Sequence, residues 1–153
     1  MEFAEFVSEN SRVEAKYQES RNLRGKYMYT DFITRIRNAQ KARLEYVKIP
    51  YSEMDLAIAE LLTRQGFLEN ASKKGRMPKR IIEVKLKYSL GKGVIGGARL
   101  ISKPSRRLYS GYRDLKPVKQ GYGITVISTS KGIKTNKEAR KEKLGGELLF
   151  EIW

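Results

Sequence analysis

The sequence predicts an α+β fold in two small domains, and three observations carry that prediction. Met54, Ala57, Ile58, Leu61 and Leu62 recur at helical spacing between Ser52 and Gly66, residues of the kinds that start and stop helices. Ile82, Val84, Leu86 and Tyr88 alternate with Glu83, Lys85 and Lys87, which describes a strand with one buried and one charged face. An apolar stretch from Gly123 to Ile127 runs into a hydroxyl-rich turn, then a short capped helix, then the alternation Leu148, Phe150, Ile152. The first two observations define a two-helix plus antiparallel-sheet unit over residues 28–92. The third defines a short, mostly-β unit with one helix over residues 93–153. Residues 1–27 form an extension that docks on a neighbour or is partly mobile.

In chain order, the extension mixes charges with Phe3, Phe6, Val7, Val13 and Tyr17, a spacing compatible with an amphipathic helix. Five glutamates there argue against a mitochondrial transit peptide. From Thr30, Phe32, Ile33, Ile36, Ala39 and Gln40 make one face of a helix, with Arg35, Arg37, Asn38 and Lys41 on the other. Val47-Lys48-Ile49 reads as a short strand ended by Pro50, and Ser52 with Asp55 approximates a capping box for the next helix. A strand starts at Phe67 and breaks at the basic loop Lys73 to Arg80. The second unit opens with a strand from Ile95 to Ile101. Thr135 and Glu138 form a capping box for a helix ending near Leu144.

Composition narrows the chemistry. The 153 residues suffice for a sizeable core. With no cysteine and no histidine, disulfides, thiol nucleophiles and the usual zinc ligand sets are ruled out, so no metal, cofactor or catalytic residue is expected. No apolar run approaches the roughly 20 residues that span a bilayer, and the first residues do not read as a secretory signal; the expectation is a soluble intracellular protein, with no membrane partner. The formal charge is +15, from 32 basic and 17 acidic side chains. Residues 1–27 hold five of each, whereas residues 73–143 hold 21 basic and 4 acidic, a net +17. The second half therefore faces the polyanion.

Several motifs admit a sharp and a bland reading. Gly91-Lys92-Gly93-Val94-Ile95-Gly96 has the spacing of a dinucleotide fingerprint, but the glycines must lie between a strand and a helix. Here strand continues through Val94, Ile95 and Leu100, so the segment is a hairpin or interdomain turn. Ser128-x-x-Lys131 has the Ser-Lys spacing of penicillin-binding enzymes but lacks their companion motifs, and Gly132 interrupts the helix that chemistry needs. The hydroxyls of Ser128, Thr129 and Ser130 either cap a turn or meet RNA. Arg35, Arg37 and Lys41 are a solvated helix face or phosphate contacts. Five of the eight residues from Lys73 to Arg80 are basic and none acidic, so Lys79 and Arg80 read as phosphate contacts that relieve mutual repulsion. Tyr109 is an edge-strand aromatic or, beside Arg106 and Arg107, a platform for an unpaired base. Glu147 either holds a lysine or accepts from a base amine or a 2′-hydroxyl.

The run Ser128-Thr129-Ser130-Lys131-Gly132, followed by Thr135 to Arg140 and then Leu144-Gly145-Gly146-Glu147, resembles the carboxyl-terminal signature of small-ribosomal-subunit protein eight, a family that binds ribosomal RNA. Thr34 to Ala39, Pro50 to Ser52, Ser102 to Pro104, Arg107 to Tyr109 and Gly121-x-Gly123 follow the family's order, so the resemblance covers about residues 28–153. Two positions depart from it: Ser105 stands where the family usually has glycine, and Tyr27-Met28 where its first helix opens with Asp-Pro. The resemblance implies two small α+β domains, the second a three-stranded unit with one helix. It implies a primary binder of a helix in the central domain of small-subunit ribosomal RNA, assisting subunit assembly. The RNA contacts it carries over are Tyr109, Ser128, Thr129, Ser130, Lys131 and Glu147, with Gly145 and Gly146 letting the backbone come close. It also implies neighbouring ribosomal proteins as partners, its own operon's messenger as a second target, and a place in a cytoplasmic ribosome of bacterial type or an organellar one. Two alternatives stand beside it, a non-ribosomal RNA chaperone or messenger repressor and a Ser-Lys hydrolase.

Overall fold

The computed structural model describes residues 29–103 and 105–153; the expectations for the extension, for Tyr27-Met28 and for the turn at Pro104 fall outside them. Helix α1, described over residues 29–41, buries Phe32, Ile33, Ile36 and Ala39, the stripe its spacing predicts. Strand β1 (Tyr46–Pro50) leads to α2 (Glu53–Arg64), then β2 (Leu68–Lys74) and β3 (Ile81–Leu86). These strands form an antiparallel sheet in the order β1-β3-β2, with Ile82, Val84 and Leu86 of the central strand buried under the two helices. Ser52 caps α2 by accepting from the Asp55 amide at 3.4 Å. Gly66, at φ +86°, ends the helix in a Schellman turn, with Gly66 donating to the Thr63 carbonyl and Phe67 to that of Leu62. Helix α1 closes the same way with Arg43 in the left-handed position, φ +56°.

Strands β4 (Tyr88–Ser89) and β5 (Lys92–Gly93) make a two-residue hairpin through Leu90 and Gly91, both at positive φ. The glycine run is therefore a turn, as its bland reading had it. The expected strand from Ile95 to Ile101 shrinks to β6 (Ala98–Leu100). Ile95 does not enter the sheet because the Gln40 side chain takes both its backbone groups, donating to the carbonyl at 2.8 Å and accepting from the amide at 3.3 Å. Gly96 and Gly97 both donate to the Trp153 carbonyl, at 2.7 and 3.2 Å, and the Trp153 ring lies so close that a Cβ on Gly97 would sit 2.7 Å from it.

Strands β7 (Tyr109–Ser110), β8 (Ile124–Thr129), β9 (Gly132–Thr135) and β10 (Gly146–Ile152) complete the chain, with α3 (Asn136–Lys141) between the last two. The second sheet runs β6-β10-β8-β9, and β7 also pairs with β10, giving five strands where three were expected. The additional strands, β7 and β9, hold two and four residues, too few to show an alternation; long-range pairing with β10 makes β7 a strand, and the tight hairpin with β8 makes β9 one. Thr135 and Glu138 form the expected reciprocal capping box on α3. One buried cluster runs through both units, joining Phe32, Ile58, Leu62 and Val84 to Ile95, Val126, Phe150 and Ile152. Tyr29 strengthens that junction, stacking on Phe150 and donating to the Ser102 carbonyl at 2.8 Å.

Candidate nucleic-acid interface

Strand β8 is the spine of the candidate site. Ile124 to Ile127 are buried, and the strand leaves the core only at Ser128 and Thr129, which are half-exposed. Ser130 and Lys131 then form the exposed tip of the β8–β9 hairpin, and Gly132, at φ +110°, supplies the backbone conformation that side chains avoid. Thr129 secures this tip. Its hydroxyl donates to the Gly132 carbonyl at 2.7 Å and accepts from the Lys131 amide at 3.3 Å. The hydroxyls of Ser128 and Ser130 have no hydrogen-bond partner among the described residues. Of the three hydroxyls, one is used internally and two are available.

Sheet register places the remaining residues. Glu147 of β10 lies opposite Ser128 on one side and Tyr109 of β7 on the other, and Ser128 in turn lies opposite Ile133. Cross-strand partners project from the same face, so Tyr109, Glu147 and Ser128 form one row across three strands. Tyr109 is 70% exposed, whereas the Glu147 side chain is only 13% exposed. Glu147 is held by an arginine rather than the expected lysine, Arg107 Nη1 lying 3.3 Å from Oε1 and 3.4 Å from Oε2. Burial raises the pKa of the nearby Tyr29 hydroxyl, the Glu147 charge adds to this, and Arg107 opposes it.

The glycine pair answers to the protein's own backbone. A Cβ on Gly145 would lie 2.7 Å from the Ser110 carbonyl oxygen, and one on Gly146 would overlap that of Ser128. These two residues let β10 slip between β7 and β8, which brings Glu147 into the row. Ser102 does similar work from the other edge. Fully buried, it accepts from the Leu108 amide at 3.0 Å and donates to the Leu108 carbonyl at 3.3 Å, fixing the approach to Tyr109. Nothing in the sequence distinguishes this buried serine from a surface one.

Arg106 is exposed, its backbone paired in both directions with Lys103. The other candidates belong to the first unit. Arg35 and Arg37 are on the exposed face of α1; Arg35 is paired with Asp31 at 2.8 Å, and Arg37 has no acidic partner among the described residues. Lys79 is exposed in the loop between β2 and β3. The Arg80 guanidinium lies over the Tyr51 ring, 5.4 Å from its centre, with Lys73 also over that ring at 5.7 Å. Arg80 Nε is buried without a hydrogen-bond partner.

Ser128 and Lys131 share no hydrogen bond among the described residues, so the nucleophile and base of a Ser-Lys hydrolase are not assembled. Nor, among those residues, is there a group of three potential metal ligands. What the row offers is an aromatic face, a carboxylate steadied by a guanidinium, two unused hydroxyls and a lysine. Residues 28–153 match the family model described as ribosomal protein S8. The small ribosomal subunit protein uS8 of Caldicellulosiruptor bescii is 48% identical over 124 residues, covering 80% of this chain and 94% of that protein. The uS8 of Streptococcus agalactiae is 44% identical with the same coverage, and that of Mycoplasmopsis agalactiae is 42% identical over 81% of this chain and 95% of its own.

Proposed function

Because the chain belongs to the ribosomal protein S8 family, we propose that it is a structural constituent of the small ribosomal subunit that docks on ribosomal RNA through the Tyr109–Glu147–Ser128 row and the adjoining hairpin tip. Its RNA target is a helix in the central domain of the small-subunit RNA, which it binds as a primary contact during assembly. Neighbouring ribosomal proteins then pack around it in a cytoplasmic ribosome of bacterial type. Its role is structural rather than catalytic. Its own operon's messenger, folded to mimic the ribosomal site, is a second target.

The observation that carries this reading is the division of labour at the tip: Thr129 holds the turn while Ser128 and Ser130 keep their hydroxyls unused. A-form RNA presents a wide, shallow minor groove lined with 2′-hydroxyls. Short hydroxyl side chains on a rigid strand can exchange hydrogen bonds there, whereas bulkier ones would hold the backbone away. Lys131, Arg106, Arg37 and Lys79 meet phosphates; Tyr109 stacks on an unpaired base; and Glu147, oriented by Arg107, accepts from a base amine or a 2′-hydroxyl. Phosphate contacts supply affinity and the row supplies fit.

Titration against a full-length small-subunit RNA transcript, with bulk transfer RNA as competitor, tests the proposal. Affinity should survive the competitor and fall steeply with salt, as counterions released from phosphates require. Binding that is flat in salt, or that transfer RNA abolishes as an unspecific RNA chaperone's would be, refutes it.

A further inference from the structure

Beside the row, Arg99, Leu100, Ile101, Lys103, Arg106 and Leu108 line an open hollow of about 340 Å³. This volume is at the small end of ligand sites, about 300–1,000 Å³. Leu100, Ile101 and Leu108 are half-buried and provide an apolar floor. Three cations stand around it, and only Arg99 is neutralised, by Glu151 at 3.1 Å. Lys103 and Arg106 have no acidic partner among the described residues. Their backbones are locked together, each amide donating to the other's carbonyl, at 2.9 and 3.0 Å. Two unpaired cations are thus held beside an apolar floor, on the loop that leads into Tyr109.

A duplex backbone would use the cations and leave the floor idle. A planar base attached to a phosphate uses both, its ring on the leucine and isoleucine side chains and its phosphate on Lys103 and Arg106. We propose that this hollow seats a single unstacked nucleotide of the RNA bound at the neighbouring row. The proposal rests on the RNA-binding reading above and adds a site to it. Continuity supports a nucleotide rather than an acidic peptide: Leu108 forms part of the floor, and the next residue is Tyr109 of the row.

The test is chemical probing of the full-length small-subunit RNA transcript, by dimethyl sulfate and 2′-hydroxyl acylation, with the wild-type protein, Lys103→Ala and Leu100→Ser. Melting curves establish that each variant is folded. Lys103 is exposed, so its variant carries the test alone if Leu100→Ser unfolds. The wild-type protein should protect at least one unpaired nucleotide in addition to the helix. Both variants should restore the reactivity of that nucleotide, keep the helix footprint and weaken binding about tenfold, the scale of one lost charge-assisted contact. A footprint and affinity unchanged by both variants overturn the proposal, whether the hollow is idle or holds a peptide. If the wild-type protein protects nothing, the RNA-binding reading fails first and takes this site with it.

Discussion

Ser130→Ala and Thr129→Val should fail in opposite ways, because the two neighbouring hydroxyls are committed to different partners. Thr129 makes two hydrogen bonds that close the hairpin tip, at 2.7 and 3.3 Å. Replacing it with the near-isosteric valine removes both while keeping the branched strand side chain. At about 0.5–1.5 kcal/mol net per bond, and with water able to replace them at an exposed tip, the expected cost is about 1–2 kcal/mol. For a chain of this size that corresponds to about 2–4 °C in Tm per kcal/mol. Ser130 is exposed and has no hydrogen-bond partner among the described residues, so Ser130→Ala should move stability by less than about 0.5 kcal/mol. Its effect should appear instead on RNA. A groove hydroxyl left unpaired costs about 1–2 kcal/mol, or roughly a fivefold to thirtyfold rise in Kd. Calorimetric melting and filter binding on the same two purified variants separate the effects. If Ser130→Ala lowers Tm and leaves RNA affinity intact, the tip serves the protein alone and the reasoning is wrong.

Asp55 offers a test by pH. Burial, with a smaller push from Asp31, raises its pKa to about 7, well above the value near 3.9 of an unfolded aspartate, so the folded state binds this proton more tightly. Its contribution to stability is therefore complete below about pH 4 and is lost as pH rises through 7. Asp55→Asn should then stabilise the protein by about 1–3 kcal/mol at pH 8 and by little at pH 4.5; equal effects in urea melts at both pH values would contradict this. Ser102→Ala leaves the half-buried Leu108 amide without its acceptor and should cost about 1–2 kcal/mol, with a parallel loss of RNA affinity as the approach to Tyr109 loosens; full affinity in the folded variant would detach Ser102 from the site. Removing residues 1–26 should leave affinity for the isolated RNA nearly unchanged, since residues 1–27 are neutral overall; a large loss in the same binding assay would place the extension in the primary site.

Helices were legible in this sequence because their ends are written locally. Ser52 and Gly66 bracket α2, and Thr135 with Glu138 opens α3; each signal is a side chain or a backbone conformation acting within four residues. The shortest strands were less legible: β6 lies inside the expected strand but is cut to three residues, β7 exists only through its pairing with the distant β10, and β9 only through the hairpin that folds it back on β8. Ile95 misled because its apolar character reads as strand, while an amide 55 residues earlier takes its backbone bonds. The candidate site divides in the same way. Its hydroxyl run was visible, but which hydroxyl closes the turn depends on geometry at the tip. The glycine pair read as a close approach to RNA, whereas the crowding it relieves lies between strands of the protein itself. An arginine stands at Glu147 because β7 pairs with β10, and no local pattern predicts that pairing.

The core that runs unbroken from α1 and α2 into the second sheet also bears on affinity. The Lys79–Arg80 loop and the Ser130–Lys131 tip are anchored on one packed body, which fixes the distance between their bases. Under the proposed RNA-binding role, a tip engaged on an RNA would present the loop to any phosphate within its reach at an effective concentration set by the scaffold, without a second search through solution. Two weak electrostatic contacts then act as one strong one, provided the RNA's fold matches their fixed spacing. An RNA with the right groove but the wrong bend engages one end and forfeits the other. On that proposal the shared core would turn shape, beyond local sequence, into a criterion of selection.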